Sequence, residues 1–185
     1  MLFACGQSDI YRVPREIRIR AAHINRNKFR AIHRNAYRHL QAGVSELTMA
    51  CCCIGMALHG GVIPACATFF VFSDYMKPAV RMAALMEVPV KFIWSHDAFR
   101  VGEDGPTHEP VEQEAQIRLM EKLKNHHGEN SMLVLRPADS EETTQAWKLA
   151  MENVKTPSAL ILSRQNIKSL PEANDYSQVA KGSYP

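Results

Sequence analysis

The sequence has no apolar run long enough to cross a bilayer. Charged side chains at Lys77, Arg81, Glu87 and Lys91 interrupt its longest apolar stretches well before that length. The residues that follow Met1 also lack the basic-then-apolar order of a secretory signal. These absences argue against a membrane protein and a secreted one, so we expect a cytoplasmic chain without a membrane partner.

Cysteine is present, but a metal-binding arrangement of it is not. The chain has five cysteines, an odd total, without a C-x-x-C pair or a matching histidine spacing. They are Cys5, the consecutive Cys51, Cys52 and Cys53, and Cys66. The apolar neighbours of the consecutive three favour small buried side chains on a packed helix. We therefore expect reduced thiols and assign no metal site.

Acidic residues are scarce in the first forty positions, where only Asp9 and Glu16 occur. The same segment holds nine of the 22 basic residues, so the net charge of +3 conceals a mildly acidic remainder. A nucleic-acid-binding domain carries its basic face on the folded body, and the body of this chain has no such excess. We therefore expect no nucleic-acid partner and leave residues 1–40 as an unassigned basic segment.

From Gln41 onward, strands and helices alternate. The predicted strands are apolar throughout, which is typical of a mostly parallel sheet with helices on both faces. We therefore predict an α/β domain over residues 41–170, followed by a polar linker over 171–185 that is cut short. The predicted helices span about 45–59, 76–86, 111–124 and 140–152, with Ser140 as the last N-cap, and the strands span 61–64, 67–72, 90–94, 132–135 and 158–162.

Polar and glycine-rich strings follow the predicted strands, at the edge where such sheets bind ligands. The most specific is Val-Gly-Glu-Asp-Gly-Pro-Thr-His at 101–108, and others are Arg-Pro-Ala-Asp at 136–139 and Ser-Arg-Gln-Asn at 163–166. Together with Ala-Leu-His-Gly-Gly at 57–61 and Thr-Phe-Phe-Val-Phe-Ser-Asp-Tyr at 68–75, they resemble the transketolase family at mutually consistent spacing. The resemblance runs from about Gln41 to Pro171 and is to the pyrimidine-binding domain.

The resemblance implies a thiamine-diphosphate-binding fold and an enzyme of the pentose phosphate pathway. Such an enzyme transfers a two-carbon ketol unit from a ketose phosphate to an aldose phosphate. The implied cofactor is thiamine diphosphate, with Mg²⁺ or another divalent ion held by a domain that this chain does not contain. The implied partners are sugar phosphates and a second chain, as a homodimer or as complementary transketolase domains. We expect the isolated fragment to supply half a site and to be inactive.

Glu46 matches the glutamate that the family places against the cofactor's aminopyrimidine ring. By resemblance, it binds the ring nitrogen and so helps the cofactor to lose the proton of its reactive carbon. From residue type alone, the helix dipole would explain a glutamate at the start of a helix. Many family members have Arg-Glu-His where this chain has Ser45-Glu46-Leu47, so the neighbours' contacts do not carry over.

Phe69, Phe72 and Tyr75 recur at every third position and match the family's aromatic wall around the pyrimidine ring. Without the resemblance, the two phenylalanines would be interpreted as core residues, whereas the hydroxyl of Tyr75 favours a place at a pocket. The resemblance implies that all three bind the cofactor.

The resemblance assigns substrate binding to His96, Asp104, His108 and Arg164. His96 and Arg164 would hold the sugar's phosphate, since a guanidinium presents a fork of donors to phosphate oxygens. Asp104 would accept a hydrogen bond from a sugar hydroxyl, and His108 would assist proton movement as a second catalytic residue beside Glu46. Each also has a structural alternative, such as a histidine at a strand end or an arginine in a surface salt bridge.

Two alternatives to a transketolase stay open. One is a related thiamine-diphosphate enzyme, such as dihydroxyacetone synthase or deoxyxylulose-phosphate synthase, and the other is a catalytically silent domain that binds a partner chain. For residues 1–40, a targeting or nucleic-acid-binding arm competes with disorder and with translation in a shifted frame. The abrupt start of the resemblance near Gln41 favours the shifted frame.

Overall fold

The computed structural model describes residues 2–4, 39–99, 101–168 and 176–182. Within these residues, one sheet of six strands packs against four α-helices. The strands are β1 (Leu2–Ala4), β2 (His39–Gln41), β3 (Ala65–Phe69), β4 (Lys91–Ser95), β5 (Leu133–Leu135) and β6 (Ser158–Ile161). The helices are α1 (Glu46–His59), α2 (Ser73–Leu85), α3 (Gln113–Lys122) and α4 (Ser140–Glu152).

Every strand pairing in the sheet is parallel, and the strand order is β2-β1-β3-β4-β6-β5. β4 lies between β3 and β6, with Phe69 opposite Ser95 and Trp94 opposite Ile161 near the carboxyl ends. Parallel neighbours present their carboxyl ends at one edge, where ligands bind in such folds. The predicted parallel α/β sheet is therefore confirmed.

Helices cover both faces of the sheet, as predicted, because successive strand residues point to opposite sides. Phe92 and Trp94 of β4 pack in one cluster with Met76 of α2, and α1 and α3 contribute to the same cluster. On the opposite face, Leu160 of β6 packs with Ala150 of α4. The apolar strands are thus buried from two sides.

The predicted boundaries of β3 are wrong at both ends. Gly60 and Gly61 have positive φ angles of 81° and 80°, so the chain leaves α1 in a turn that only glycine adopts easily. The strand predicted at 61–64 is therefore absent, and β3 begins at Ala65. Beyond Phe69, Phe70–Phe72 form a 3₁₀ turn that leads directly into α2. The strand is therefore limited to its five buried residues.

The predicted N-cap of α4 is wrong by one residue. Asp139, instead of Ser140, has an extended backbone, and its Oδ1 accepts a hydrogen bond from the backbone N of Glu142 at 2.9 Å. A carboxylate at this position also interacts favourably with the positive end of the helix dipole. The Arg-Pro-Ala-Asp string at 136–139 thus ends in a helix cap.

Two described strands lie in or beside the segment that the sequence left unassigned. β1 pairs with β3, Leu2 opposite Ala65, and β2 pairs with β1. Residues 5–38 lie outside the described part of the chain, and so does the prediction that they are out of frame or disordered. At the other end, the 3₁₀ turn Tyr176–Lys181 packs on α4, where Tyr176 Oη donates to Asp139 Oδ2 at 3.2 Å.

Among the described residues, no helix is long and apolar enough to cross a membrane, and no group of three His, Cys, Asp or Glu side chains could hold a metal ion. Cys53 and Cys66 are buried, whereas Cys51 and Cys52 are exposed, because adjacent residues on a helix point about 100° apart. Burial, with a smaller contribution from Cys53, raises the pKa of the Cys66 thiol. The packing predicted for the consecutive three cysteines therefore holds for Cys53 alone.

Candidate cofactor and substrate site

The candidate residues gather at the carboxyl ends of β3, β4 and β6. Phe69 is the last residue of β3, His96 follows the last residue of β4, and Arg164 lies shortly after β6. Two short 3₁₀ turns in the segment after β4, Gly102–Asp104 and Pro106–His108, bring in the remaining candidates. The parallel sheet thus places residues from distant parts of the chain at one edge.

The three predicted aromatic residues form a continuous stack. The ring centroids of Phe69 and Phe72 are 5.9 Å apart with an interplanar angle of 10°, and those of Phe72 and Tyr75 are 6.0 Å apart at 27°. The 3₁₀ turn after β3 and the first turn of α2 place every third side chain on one side. Phe69 is buried and Tyr75 is 64% exposed, so the stack runs from the core to the surface.

The two predicted histidines contact this stack in different ways. The His96 ring is buried and lies face-on to Phe69, with centroids 3.6 Å apart at 20°. The His108 ring stands edge-on to Phe72, at 5.3 Å and 72°, and to Phe69, at 6.2 Å and 62°. Their Nδ1 atoms are within hydrogen-bond distance of neighbouring hydroxyls, Ser95 Oγ at 3.0 Å and Thr107 Oγ1 at 2.9 Å. We call these five rings, Phe69, Phe72, Tyr75, His96 and His108, the ring cluster.

Glu46 lies at the first position of α1 and is buried, with 7% of its surface exposed. Thr68 Oγ1 donates a hydrogen bond to Glu46 Oε1 at 3.3 Å. Thr68 precedes Phe69 in β3, and successive strand side chains point to opposite faces, so the carboxyl group and the ring cluster border the end of β3 from two sides. A buried carboxyl group held by a hydroxyl in the positive field of a helix start is suited to hydrogen bonding with a nitrogen heterocycle.

Arg164 is held by two neighbouring carboxylates of the loop after β4. Its Nη2 lies 2.5 Å from Glu103 Oε1, and its Nε lies 2.9 Å from Asp104 Oδ2. Hydrogen bonding to its own backbone lowers the pKa of Glu103, and Arg164 lowers it further; the bond to Glu103 is also the main cause of a raised pKa of Arg164. Gly102 has a φ of 72° beside this guanidinium, a conformation that disfavours other residues.

Two contacts near the site were not predicted from the sequence. Asp104 and Arg164, for which separate roles were expected, contact each other, and Glu103, which was not a candidate, also pairs with Arg164. The second is an ion pair between Asp97, directly after His96, and Arg136 of the Arg-Pro-Ala-Asp string, although both lie at predicted strand ends. Charge complementarity between strand-end loops is the signal that could have suggested these pairs, but only with the strand order known.

A concave region of about 810 Å³ lies elsewhere, in a groove between α2 and α3. Its lining combines apolar side chains such as Leu85 and Leu119 with the basic Lys77 and Arg81. No residue of the ring cluster lines it, and neither does Glu46 or Arg164. The candidate site is therefore identified by its convergent polar and aromatic side chains, and this groove is separate from it.

This chain is similar to transketolases in sequence and in fold. The model of the family described as "Transketolase, pyrimidine binding domain" matches residues 17–169. The transketolase of Halalkalibacterium halodurans is 52% identical over 149 residues, which cover 80% of this chain and 21% of that protein. The crystal structure of Campylobacter jejuni transketolase aligns with a TM-score of 0.66 at 43% identity, covering 74% of this chain and 20% of the other.

A third similar protein is the transketolase of Pichia stipitis, solved in complex with sedoheptulose-7-phosphate. It aligns with a TM-score of 0.69 at 38% identity, covering 80% of this chain and 20% of the other. The chain thus spans 20% to 21% of the length of these relatives. The family match begins at residue 17, ahead of Gln41, and ends at residue 169; the domain limits of 41 and 170 stay a prediction.

Proposed function

This chain belongs to the transketolase family, in which it matches the pyrimidine-binding domain; we propose that it supplies the pyrimidine side of a thiamine-diphosphate site. That site would serve ketol transfer between sugar phosphates. The observation that carries this proposal is the ring cluster at the carboxyl ends of β3 and β4. A flat heteroaromatic ring binds to such a wall by stacking, which gives both affinity and orientation.

The residues present fit an aminopyrimidine ring. Phe69, Phe72 and Tyr75 offer stacked faces, and Glu46 offers a buried carboxyl group beside the end of β3. When bound, thiamine diphosphate supplies the carbanion stabilisation that ketol transfer requires. In this proposal Glu46 shares a proton with the ring nitrogen, and Thr68 orients the carboxyl group through its hydroxyl.

The substrate's phosphate is bound, in this proposal, by Arg164 and His96. A phosphate reaches the guanidinium by competing with Glu103, whose side chain is 80% exposed and free to swing into solvent. Asp104 accepts a hydrogen bond from a sugar hydroxyl, and His108 moves protons near the reacting carbons. The sedoheptulose-7-phosphate complex of the similar Pichia stipitis transketolase supports a sugar phosphate as the substrate.

The rest of the site, in this proposal, comes from another domain. That domain holds the diphosphate together with Mg²⁺ or another divalent ion, either in a homodimer or through complementary transketolase domains. The whole enzyme acts in the cytoplasm on sugar phosphates of the pentose phosphate pathway. The 185-residue chain alone therefore binds the cofactor weakly and does not turn over.

Complementation tests this function directly. We would titrate thiamine diphosphate and Mg²⁺ into this chain, into a transketolase diphosphate-binding domain, and into their mixture, and measure binding by calorimetry. We expect tight binding in the mixture alone, and a large loss of affinity in Phe72→Ala because the middle of the ring stack is removed.

Glu152→Gln, at the exposed end of α4, is the matched control and should bind like the unaltered chain. If Phe72→Ala and Glu152→Gln bind equally well in the mixture, the ring cluster does not hold the cofactor. If the mixture binds no better than the diphosphate-binding domain alone, the chain does not contribute a half-site.

A further inference from the structure

His96 has a backbone conformation that is costly for its residue type. Its φ is 62°, and only one other non-glycine residue in the described part of the chain, Glu87, has a positive φ. Left-handed conformations of side-chain-bearing residues persist where surrounding contacts enforce them. The contacts around His96 should therefore reveal what holds it.

Both flanks of His96 are fixed to the sheet. Ser95 before it ends β4 and lies in register with Phe69 of β3. Asp97 after it donates its backbone N–H to the carbonyl of Leu162, beyond the end of β6, at 3.2 Å. Because the sheet holds both Ser95 and Asp97, the backbone of His96 alone must connect these two fixed positions.

The Asp97 side chain adds a third anchor. Its Oδ2 lies 3.0 Å from Nη2 of Arg136, and Nη1 of Arg136 lies 2.7 Å from Oε2 of Glu114 in α3. The Asp97 side chain is only 10% exposed, so its charge is largely removed from water. Among the described residues, no hydrogen-bond donor reaches its Oδ1, so Arg136 is the main charge partner described for this carboxylate. Arg136 follows β5, at the edge of the sheet, and thereby connects that edge and α3 to the residue after His96.

We propose that the Arg136–Asp97 ion pair is a positioning device that holds the His96 imidazole face-on to Phe69. Arg136 and Asp97 act through His96 and do not themselves contact a ligand. The link to substrate rests on the proposed function, because it requires that His96 faces the sugar phosphate. The positioning itself does not depend on any ligand.

Histidine NMR of the full chain tests this positioning. Protons that lie over the face of an aromatic ring are shifted upfield, and the His96 ring lies 3.6 Å from the Phe69 centroid. The eight histidines would be labelled with ¹³C, and the His96 signals would be identified by their absence in His96→Gln. In the unaltered chain, we expect the His96 ring protons upfield of those of an exposed histidine.

Arg136→Met and Asp97→Asn should each lose most of this upfield shift, and Arg136→Lys should retain part of it. The matched control is Arg118→Met, because Arg118 also pairs with Glu114 and is 36% exposed, compared with 39% for Arg136, but does not contact Asp97. Arg118→Met should leave the His96 signals in place.

Unmoved His96 signals in Arg136→Met and Asp97→Asn would overturn the proposal, as would an equal displacement in Arg118→Met. Should Arg136→Met fail to fold by circular dichroism, Asp97→Asn decides: a displaced His96 signal supports the positioning role and an unmoved one refutes it. The measurement needs neither cofactor nor sugar phosphate, so its failure leaves the proposed function standing. Failed complementation, in turn, leaves this result unaffected.

Discussion

The polar residues at the two ends of β4 differ in their burial and in the partners that they contact. At the amino end, Lys91 is buried, and its Nζ donates to the carbonyl of Asn153 at 2.6 Å and to Ser158 Oγ at 3.4 Å. Asn153 is itself bonded to Ser158 Oγ at 3.0 Å. At the carboxyl end, His96 lies on an aromatic ring, and nearby loops carry ion pairs that are partly open to solvent, such as Arg164–Glu103.

This difference distinguishes the amino end of the sheet from the carboxyl end, where we propose the functional site. The polar groups at the amino end hydrogen-bond to one another, and Lys91 and Ser158 are buried, so a ligand there would have to displace buried partners. At the carboxyl end one partner of Arg164, Glu103, is an exposed carboxylate, for which an anionic ligand can substitute at little cost. Substitutions at the two ends should therefore be detected by different measurements.

The largest expected effect is that of Glu46→Ala at the carboxyl end. In the complemented enzyme, it should slow proton exchange at the cofactor's reactive carbon by about 10²- to 10⁴-fold, the usual contribution of a positioned acid–base group. The fold should persist, because the helix keeps its backbone and loses one first-turn carboxylate. Deuterium exchange followed by NMR measures the rate, with Glu152→Ala as the control; unaltered exchange would remove Glu46 from the mechanism.

At the amino end, the expected effect is on stability and its pH dependence. Burial lowers the pKa of Lys91 to about 8 from its ordinary value of 10.5. The folded state therefore disfavours the proton, so the penalty is full below about pH 8 and disappears as the pH rises to 10.5. The contribution of Lys91 to the free energy of unfolding should increase over this interval by about 1 to 3 kcal/mol, less than the full shift because the hydrogen bonds of Nζ favour the charged form.

Lys91→Met should abolish this increase, since the variant has no group to titrate there. Urea unfolding at a series of pH values measures it, and Lys122→Met, at the exposed end of α3, is the control that should keep the dependence of the unaltered chain. Parallel pH profiles for the unaltered chain and Lys91→Met would show that the amino end is not closed in the way described.

A smaller effect is expected for Arg164→Ala, which should reduce kcat/KM for phosphorylated sugars by roughly tenfold or more in the complemented enzyme. Cofactor affinity should hardly change, because the partners described for Arg164 are Glu103 and Asp104, which lie outside the ring cluster. Steady-state kinetics with phosphorylated and unphosphorylated sugars distinguishes a loss of phosphate binding from a loss of cofactor binding. A loss of thiamine diphosphate affinity with normal use of sugar phosphates would move Arg164 to the cofactor site.

The smallest effect is expected for Glu103→Gln, because the Glu103 side chain is 80% exposed. Its pKa lies below the ordinary value of 4.5, so its stabilising contribution is present above that pH and is lost as the pH falls through the lower folded value. Glu103→Gln should therefore remove a small part of the acid destabilisation that we expect below pH 4.5, which thermal melts at a series of pH values would measure. A large difference at neutral pH would contradict the view that carboxyl-end ion pairs are exchangeable.

Much of the site was predictable where its members are close in sequence. Phe69, Phe72 and Tyr75 follow one another at every third position, and the structure stacks them as that spacing suggests. The association of His96 and His108 with these rings follows from parallel strand ends, which the sequence also predicts. Their roles in binding and catalysis remain predictions until the experiments above are done.

The sequence by itself determined the alternation of strands and helices, the parallel sheet and the motif strings, because apolar patterning and turn residues act over short distances. Only the tertiary structure decided that Arg164 pairs with Glu103, that Arg136 pairs with Asp97, and that Lys91 is buried beneath α4's end. These contacts join residues far apart in the chain. They depend on β6 lying between β4 and β5, an order that no local pattern encodes.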